Sequence, residues 1–297
     1  MWRYSPKDIS KPTIDLHLMY ESMSGRTSLE SPPDVFRLKE SIQFIDKTTN
    51  RIDVDKSRIY QTKMEEKGFA FPAQGVWGNP IARKPYDEGY FALDSQGELY
   101  HIKQVNGRPY VGNTKAGEKI NIAYFSLYEI PDKTIYGFIV SKEGEIYTLN
   151  AGGGYGLTRF DIPPIDIHQH SVMMLGNMFY WMVNVTGPEG ISYHVLDLHN
   201  ELKQYDEPYF VTSQPDQWDR LSQWLFPLYI SFDNPTTEYV TPTLTNNWGF
   251  SLIVSALLAI TFLLTTGRKR STSQKATNAI CILCFGIPAY IVSILTK

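Results

Sequence analysis

Two stretches of this chain carry the same turn in the same setting. ALDSQGELYHI around Gly97 and IVSKEGEIYTL around Gly144 put Tyr100 and Tyr147 in one slot, 47 residues apart. A step of 46 leads to Tyr193 in PEGISYHVLD, and another 46 to Tyr239 in FDNPTTEYV. Going back 47 from Tyr100 reaches Asp53 in FIDKTTNRID, where the polar turn is kept and the aromatic is lost. Each unit reads as strand, polar turn, strand, and a single such unit cannot bury both of its faces, so it must stack on its neighbours. Antiparallel units of about 40–50 residues have the spacing of propeller blades. The period predicts a mainly β fold of propeller-like antiparallel repeats of 46–47 residues, with another antiparallel β architecture or a mixed fold as alternatives. The 19 tyrosines and 15 phenylalanines suit strands.

The first unit departs from the pattern. DVDKSRIYQTKMEEKG, from Asp53 to Gly68, has an acidic start, late lysines and a glycine stop, and predicts a short helix. QWDRLSQWL, from Gln217 to Leu225, predicts a second, whose Trp218 and Trp224 fill a core or rest on lipid headgroups.

The carboxyl end is different in kind. Asn247 to Thr266 is a 20-residue run without a charge, and Ala276 to Thr296 is a second. That length crosses a bilayer at the helical rise. The sequence therefore predicts a two-helix transmembrane hairpin at 247–266 and 276–296. The connecting residues 267–275 form a basic loop with Arg268, Lys269, Arg270 and Lys275, which belongs in the cytoplasm, and Trp248 reads as an interfacial anchor. Pro288, beside Gly286, is expected to kink the second span. Residues 35–245 then form an extracytoplasmic β-repeat domain, and 1–34 an amino-terminal segment. Charge follows the same division. Residues 239–297 hold five basic residues and no acidic one, while the first 238 hold 23 basic against 31 acidic, a net −8. An acidic body is poorly suited to nucleic acid.

No export signal precedes the outer domain, because MWRYSPKDISKPTIDLHLMY is charged throughout and has no apolar core. The expectation is a chain that starts late, lacking an amino-terminal anchor helix, in an inner-membrane, multi-pass protein with its large domain periplasmic.

Motifs for chemistry are sparse. Asp166, His168 and His170 in DIHQHS alternate, so on a strand they share a face, and H-x-H with a carboxylate can ligate zinc or copper. A polar surface strand is the competing account. AGGGYGL at 151–157 lacks the Gly-Lys-Ser/Thr ending of a phosphate loop and reads as a turn between strands. ESMSGRTS does not form a serine-nucleophile elbow. Asp87, Glu88, Asp94 and Glu98 are acid–base candidates only in the sense that any acidic surface is. Asn184-Val-Thr is a glycosylation sequon. Cys281 and Cys284 sit in an apolar run, where packing is favoured over redox work or metal binding. No cofactor is expected.

Three long segments, IDLHLMYESMSGRTSLESPPDVFRL, FIDKTTNRIDVDKSRIYQTKMEEKGFAFPAQ and NPIARKPYDEGYFALDSQGELYHIKQVNGRPYV, resemble domain-of-unknown-function family 4857, a group of bacterial membrane-anchored proteins. The likeness is strongest from Asp15 to Phe160. It implies a further amino-terminal transmembrane helix, missing here, and partners among ABC-type transporter components as well as the lipid bilayer. It implies no catalytic or binding residue, and Gly25, Gly89, Gly97, Tyr86, Tyr90 and Tyr110 read as structural. Together these expectations describe a membrane-anchored accessory or interaction subunit, not an enzyme. A metal-binding or hydrolytic enzyme using Asp166, His168 and His170, or a membrane sensor, are the rivals.

Overall fold

The computed structural model describes residues 1–152, 154–209, 221–222, 224–232, 234, 236–246, 248–265 and 270–296. The chain divides into two compact units, Met1–Phe210 and Val211–Lys297.

The first unit is a series of four antiparallel sheets. The first has β2 (Asp34–Leu38), β3 (Ile42–Asp46) and β4 (Ile52–Asp53) and is followed by helix α2 (Val54–Glu66). The second has β5 (Gly75–Gly78), β6 (Tyr90–Leu93), β7 (Leu99–Val105) and β8 (Arg108–Asn113). The third has β9 (Ile122–Leu127), β10 (Ile135–Ser141), β11 (Ile146–Asn150) and β12 (Leu157–Arg159). The fourth has β13 (Ser171–Gly176), β14 (Tyr180–Gly187), β15 (Gly190–Asp197) and β16 (Leu202–Tyr209). The amino-terminal strand β1 (Trp2–Tyr4) leads into the short helix α1 (Pro6–Ser10) and pairs with β13, adding a fifth strand to the last sheet.

The sequence period has a direct structural meaning. Asp53, Tyr100, Tyr147 and Tyr193 lie on β4, β7, β11 and β15, the third strand of each successive sheet. The turns before the first three are built alike. Asp46, Asp94 or Ser141 accepts backbone N–H groups through its side-chain oxygen, and Asn50, Gly97 or Gly144 supplies a positive φ of 54°, 85° or 85°. At Gly144 a Cβ would lie 1.9 Å from the Ile165 carbonyl oxygen, so that turn tolerates no side chain. Helix α2 also forms where expected, with Asp53 capping it by accepting the Lys56 N–H at 2.9 Å and Gly68 (φ 89°) beyond its end.

The sheets do not close into a ring, and the expectation of a propeller is corrected here. Three buried clusters hold the unit together, each spanning neighbours. Phe36, Phe44, Tyr60, Tyr90 and Tyr100 join the first sheet and α2 to the second. Phe91, Leu99, Phe125 and Ile139 join the second to the third. Trp2, Tyr4, Phe138, Ile146, Met174, Val183 and Leu196 join the third to the last. Among the described residues no cluster joins the last sheet back to the first, so the stack stays open. The fifth repeat does not supply another sheet either. Tyr239 is exposed in the connection between β17 (Leu228–Ser231) and β18 (Thr243–Asn246), a hairpin in the second unit.

The second unit also holds helices α3 (Trp248–Leu264), α4 (Thr272–Phe285) and α5 (Ile287–Leu295). Ala259, Phe262 and Ile282 are its buried centre, while Ile253, Leu257, Ile260 and Leu264 stay exposed. The transmembrane hairpin is a second correction. Among the described residues no helix is long and apolar enough to cross a membrane. Helix α3 has 17 residues, about 25 Å against a hydrocarbon core of about 30 Å. The second uncharged run is broken at Gly286 (φ 63°), where α4 ends after 14 residues and α5 restarts with Pro288 in its first turn. The integral-membrane, multi-pass, periplasmic assignment rested on those spans and falls with them, as does the membrane-bound accessory subunit. Of the expected topology residues, Arg268 and Lys269 lie outside the described residues. Trp248 opens α3, and Lys275 lies in the first turn of α4. Arg270 donates to the Ser293 carbonyl at 2.8 Å and to that of Thr296, and lies over the Phe262 ring. Its charge thus offsets the negative end of α5. Residues 217–220 and 223 of the second expected helix lie outside the described residues, Trp218 among them, while Trp224 stacks on Phe250 at 4.6 Å. Cys281 and Cys284 are free thiols on α4.

Phe138 is the ring on which the third and last sheets meet, 4.7 Å from Trp2, 5.4 Å from Tyr128 and 5.9 Å from Trp181. Phe138→Ala is expected to cost about 3–5 kcal/mol, read as a lowered denaturant midpoint at unchanged m-value.

Candidate functional site

The third and last sheets diverge at one end and leave a groove of about 770 Å³, within the size range of ligand sites. Trp181 on β14, Ile135 on β10, and Tyr128 and Ile130 in the β9–β10 loop give it apolar walls. Met178 and Leu198 stand at its rim from the β13–β14 and β15–β16 turns. Gly176 sets the position of Trp181: a Cβ there would come within 2.6 Å of the indole, which therefore lies against bare backbone. The other face of the tryptophan is fixed by edge contacts to Phe138 and Phe160 at 5.9 and 6.0 Å.

The polar groups of the groove are mostly satisfied by one another. Asn150 donates to Thr158 Oγ1 at 2.9 Å, and Thr134 donates to Asp132. Asn177 accepts the N–H groups of Phe179 and Tyr180 at 2.8 Å. Asn200 (φ 63°) occupies a turn in which Asp197 accepts from His199 and Glu201. The rim is more apolar than a surface normally is. Met178, Phe179 and Leu198 are 79%, 65% and 57% exposed, with Tyr180 and Met182 beside them on β14.

Behind the β9–β10 loop lies a dense ionic and aromatic network that pins it to the second sheet. Lys84 sits between two carboxylates, 2.8 Å from Asp87 Oδ2 and 2.6 Å from Glu129 Oε2, and donates to the Asn79 carbonyl at 2.7 Å. Glu129 also accepts from Asn79 Nδ2 and from the Glu88 N–H. Glu88 in turn takes Lys103 at 2.9 Å, while Tyr86 donates to the Ile130 carbonyl and carries Lys133 over its ring at 3.9 Å. Burial raises Asp87 to about 6 despite its lysine.

His101, fully buried on β7, stacks on Phe91 at 4.3 Å and meets the Glu88 carbonyl at 2.5 Å through Nε2. A carbonyl only accepts, so Nε2 carries the proton and Nδ1 is the acceptor. Tyr155 donates to Nδ1 at 2.9 Å, and Tyr110 donates to the Tyr155 oxygen at 3.1 Å. This hydroxyl chain explains why Tyr155 holds a left-handed backbone (φ 62°) that a bulky residue otherwise avoids. Burial, reinforced by Lys103, lowers His101 to about 4. The imidazole is thus neutral and sealed, a tie between loops that makes no contact with the groove.

The expected metal ligands are not brought together. DIHQHS forms a turn instead of a strand, and Asp166 and His170 are engaged locally. Asp166 accepts the His168 N–H and Gln169 Nε2, and His170 Nδ1 accepts the Asp166 N–H while its Nε2 lies 2.7 Å from Glu189. Among the described residues no group of three or more His, Cys, Asp or Glu is placed to hold a metal ion. Of the four acidic candidates, Asp87 and Glu88 enter the network, whereas Asp94 and Glu98 cap turns. Asn184 lies in mid-strand on β14, paired with Met173 and Tyr193. Sequence reasoning missed the groove and the network. DLHNE at 197–201 repeats the DSQGE turn of 94–98 with asparagine for glycine, a signal that would have placed the Asn200 turn. Nothing local announces Lys84 and Glu129, which meet across 45 residues.

A family model described as "Domain of unknown function (DUF4857)" matches residues 1–196. The chain belongs to that family. The matched span holds the whole ionic network and Trp181, and it ends within β15. No curated protein matches the chain. Among solved structures it is similar to the Cps50 (Swd1) β-propeller domain of Myceliophteria thermophila, at 8% identity and a TM-score of 0.34, covering 67% of this chain. The chain spans 57% of that domain's length. A putative exported protein from Bacteroides fragilis NCTC 9343 is similar at 8% identity and a TM-score of 0.20, covering 90% of this chain and 94% of that one. Likenesses this weak carry no argument about fold or function.

The buried groups make stability depend on pH with opposite signs. His101 titrates near 6.5 when exposed and near 4 when folded, so its contribution is present above about pH 6.5 and is lost as pH falls towards 4. Asp87, raised on folding, contributes most at acid pH, and its contribution declines as pH rises through about 6. His101→Gln removes the first dependence, while His17 and His194, which burial also lowers, keep part of the fall towards acid. Denaturant midpoints measured across this range are expected to fall less towards acid than those of the unsubstituted chain.

Proposed function

We propose that this chain is a non-catalytic binding module whose groove receives an apolar segment of a partner polypeptide. The observation that carries the reading is the run of exposed apolar side chains at the rim, Met178, Phe179 and Leu198, continuous with the Trp181 wall. Water-exposed apolar surface of this kind, beside a preformed groove, favours a partner that covers it. Methionine suits the task because its unbranched, polarisable side chain adapts to different occupants. The neutral polar groups of the groove are engaged with each other, so an incoming apolar chain leaves few of them stranded. The ionic network supports the same reading from behind, because it fixes the loop that carries Tyr128 and Ile130.

Selection of a random peptide library on the intact chain tests this. Enriched peptides are expected to carry an aromatic or large aliphatic anchor, to alter Trp181 fluorescence, and to bind Met178→Asp/Leu198→Asp about tenfold more weakly or worse, a loss of about 1.4 kcal/mol. Peptides that bind the doubly substituted chain equally well, or a selection that enriches nothing, would overturn the reading.

A further inference from the structure

The helices of the second unit are packed with their polarity reversed. Among the described residues they bury Ser251, Ser255, Ala259 and Ser293 together with Phe262 and Ile282. Phe250, Leu252, Ile253, Leu257, Ile260 and Leu264 stand exposed on α3, over an arc of about 160° at the helical pitch. Phe285 on α4 and Leu295 on α5 are exposed as well. A helix packed in water turns its large aliphatic side chains inward and its serines outward. Small residues at the contacts and large apolar ones outside are the arrangement of helices surrounded by lipid. The exposed hydroxyls at the end of α3 are satisfied by the helix itself, Thr261 donating to the Leu257 carbonyl at 2.8 Å and Thr265 to that of Thr261 at 2.6 Å.

Charge selects the occupant. From residue 239 onward the chain holds five basic residues and no acidic one. Arg270 donates to the last carbonyls of α5, and Lys275 lies in the first turn of α4, so cations gather where α4 starts and α5 ends. A second copy would set like charges against each other. An anionic lipid surface offers acyl chains to the exposed leucines and isoleucines and phosphate to the cations. We propose that α3, α4 and α5 seat in the acyl layer of an anionic lipid surface, with Lys275 at the headgroups. The helices enter from one face and do not cross, because α3 is about 25 Å long and no described helix is long and apolar enough to span. The inference uses the second unit alone, so it does not rest on what the groove binds.

Flotation of the full chain with lipid vesicles tests the proposal. The chain is expected to float with vesicles of equal parts phosphatidylglycerol and phosphatidylcholine, and to partition about tenfold more weakly into phosphatidylcholine alone. Leu257→Gln/Ile260→Gln is expected to weaken partitioning tenfold or more in both, and Lys275→Gln about fivefold in the mixed vesicles only. Near-ultraviolet circular dichroism of each variant confirms the native fold. A chain that floats with neither kind of vesicle overturns the proposal. Equal partitioning into both overturns the choice of an anionic surface. Unchanged flotation of Leu257→Gln/Ile260→Gln also overturns it, because the contact then lies elsewhere in the chain, and so does a discrete dimer that takes up no lipid, which gives the apolar surface to a second copy.

Discussion

Mutual burial between sheets is the constraint on which the first unit depends. Each sheet has an apolar face that its own strands cannot cover, and the three clusters are the places where neighbours cover each other. Aromatic rings do most of this, as Phe36, Phe44, Tyr60 and Tyr90 do between the first two sheets and Phe138 with Trp2 and Trp181 do between the last two. A stack of this kind has two ends. At the first, α2 packs Tyr60 and Met64 into the cluster. At the other, β1 adds a strand, and β16 is left as an edge rich in charge and carrying a proline, which opposes indiscriminate pairing.

The site is a consequence of the same stacking. Where two twisted sheets diverge, a groove opens, and the loop that borders it must be held from behind or it collapses into the gap. Lys84 between Asp87 and Glu129 does this for the β9–β10 loop. A buried ion pair contributes little net stability once desolvation is counted, but its geometry is specific, and removing one member strands the others. His101 adds a neutral tie with a fixed tautomer, reaching Tyr155 in the glycine-rich loop and, through it, Tyr110. The groove therefore has a rigid back and a soft, methionine-bearing rim.

Hydropathy was the less reliable guide at the carboxyl end. The uncharged run from Ala276 to Thr296 has the length of a span, yet its helix ends at Phe285 and the backbone turns at Gly286. Absence of charge is a statement about composition. Helix length depends on where hydrogen bonding stops, and Gly286 with Pro288 stops it. The alternation of DIHQHS misled in the same way, because Asp166 bonds the following N–H groups more readily than it enters a strand.

What the sequence determined by itself was local: the repeating turn, the common slot of Asp53, Tyr100, Tyr147 and Tyr193 after it, the helix α2 and the family. Each rests on contacts within a few residues, where residue type sets the backbone conformation. Tertiary structure alone decided that the sheets stack without closing, that Lys84 meets Glu129, that Tyr155 turns inward to His101, and that Trp181 lines a groove. These outcomes depend on which faces find partners across 40 residues or more, and a face records only that it is apolar, not what will cover it.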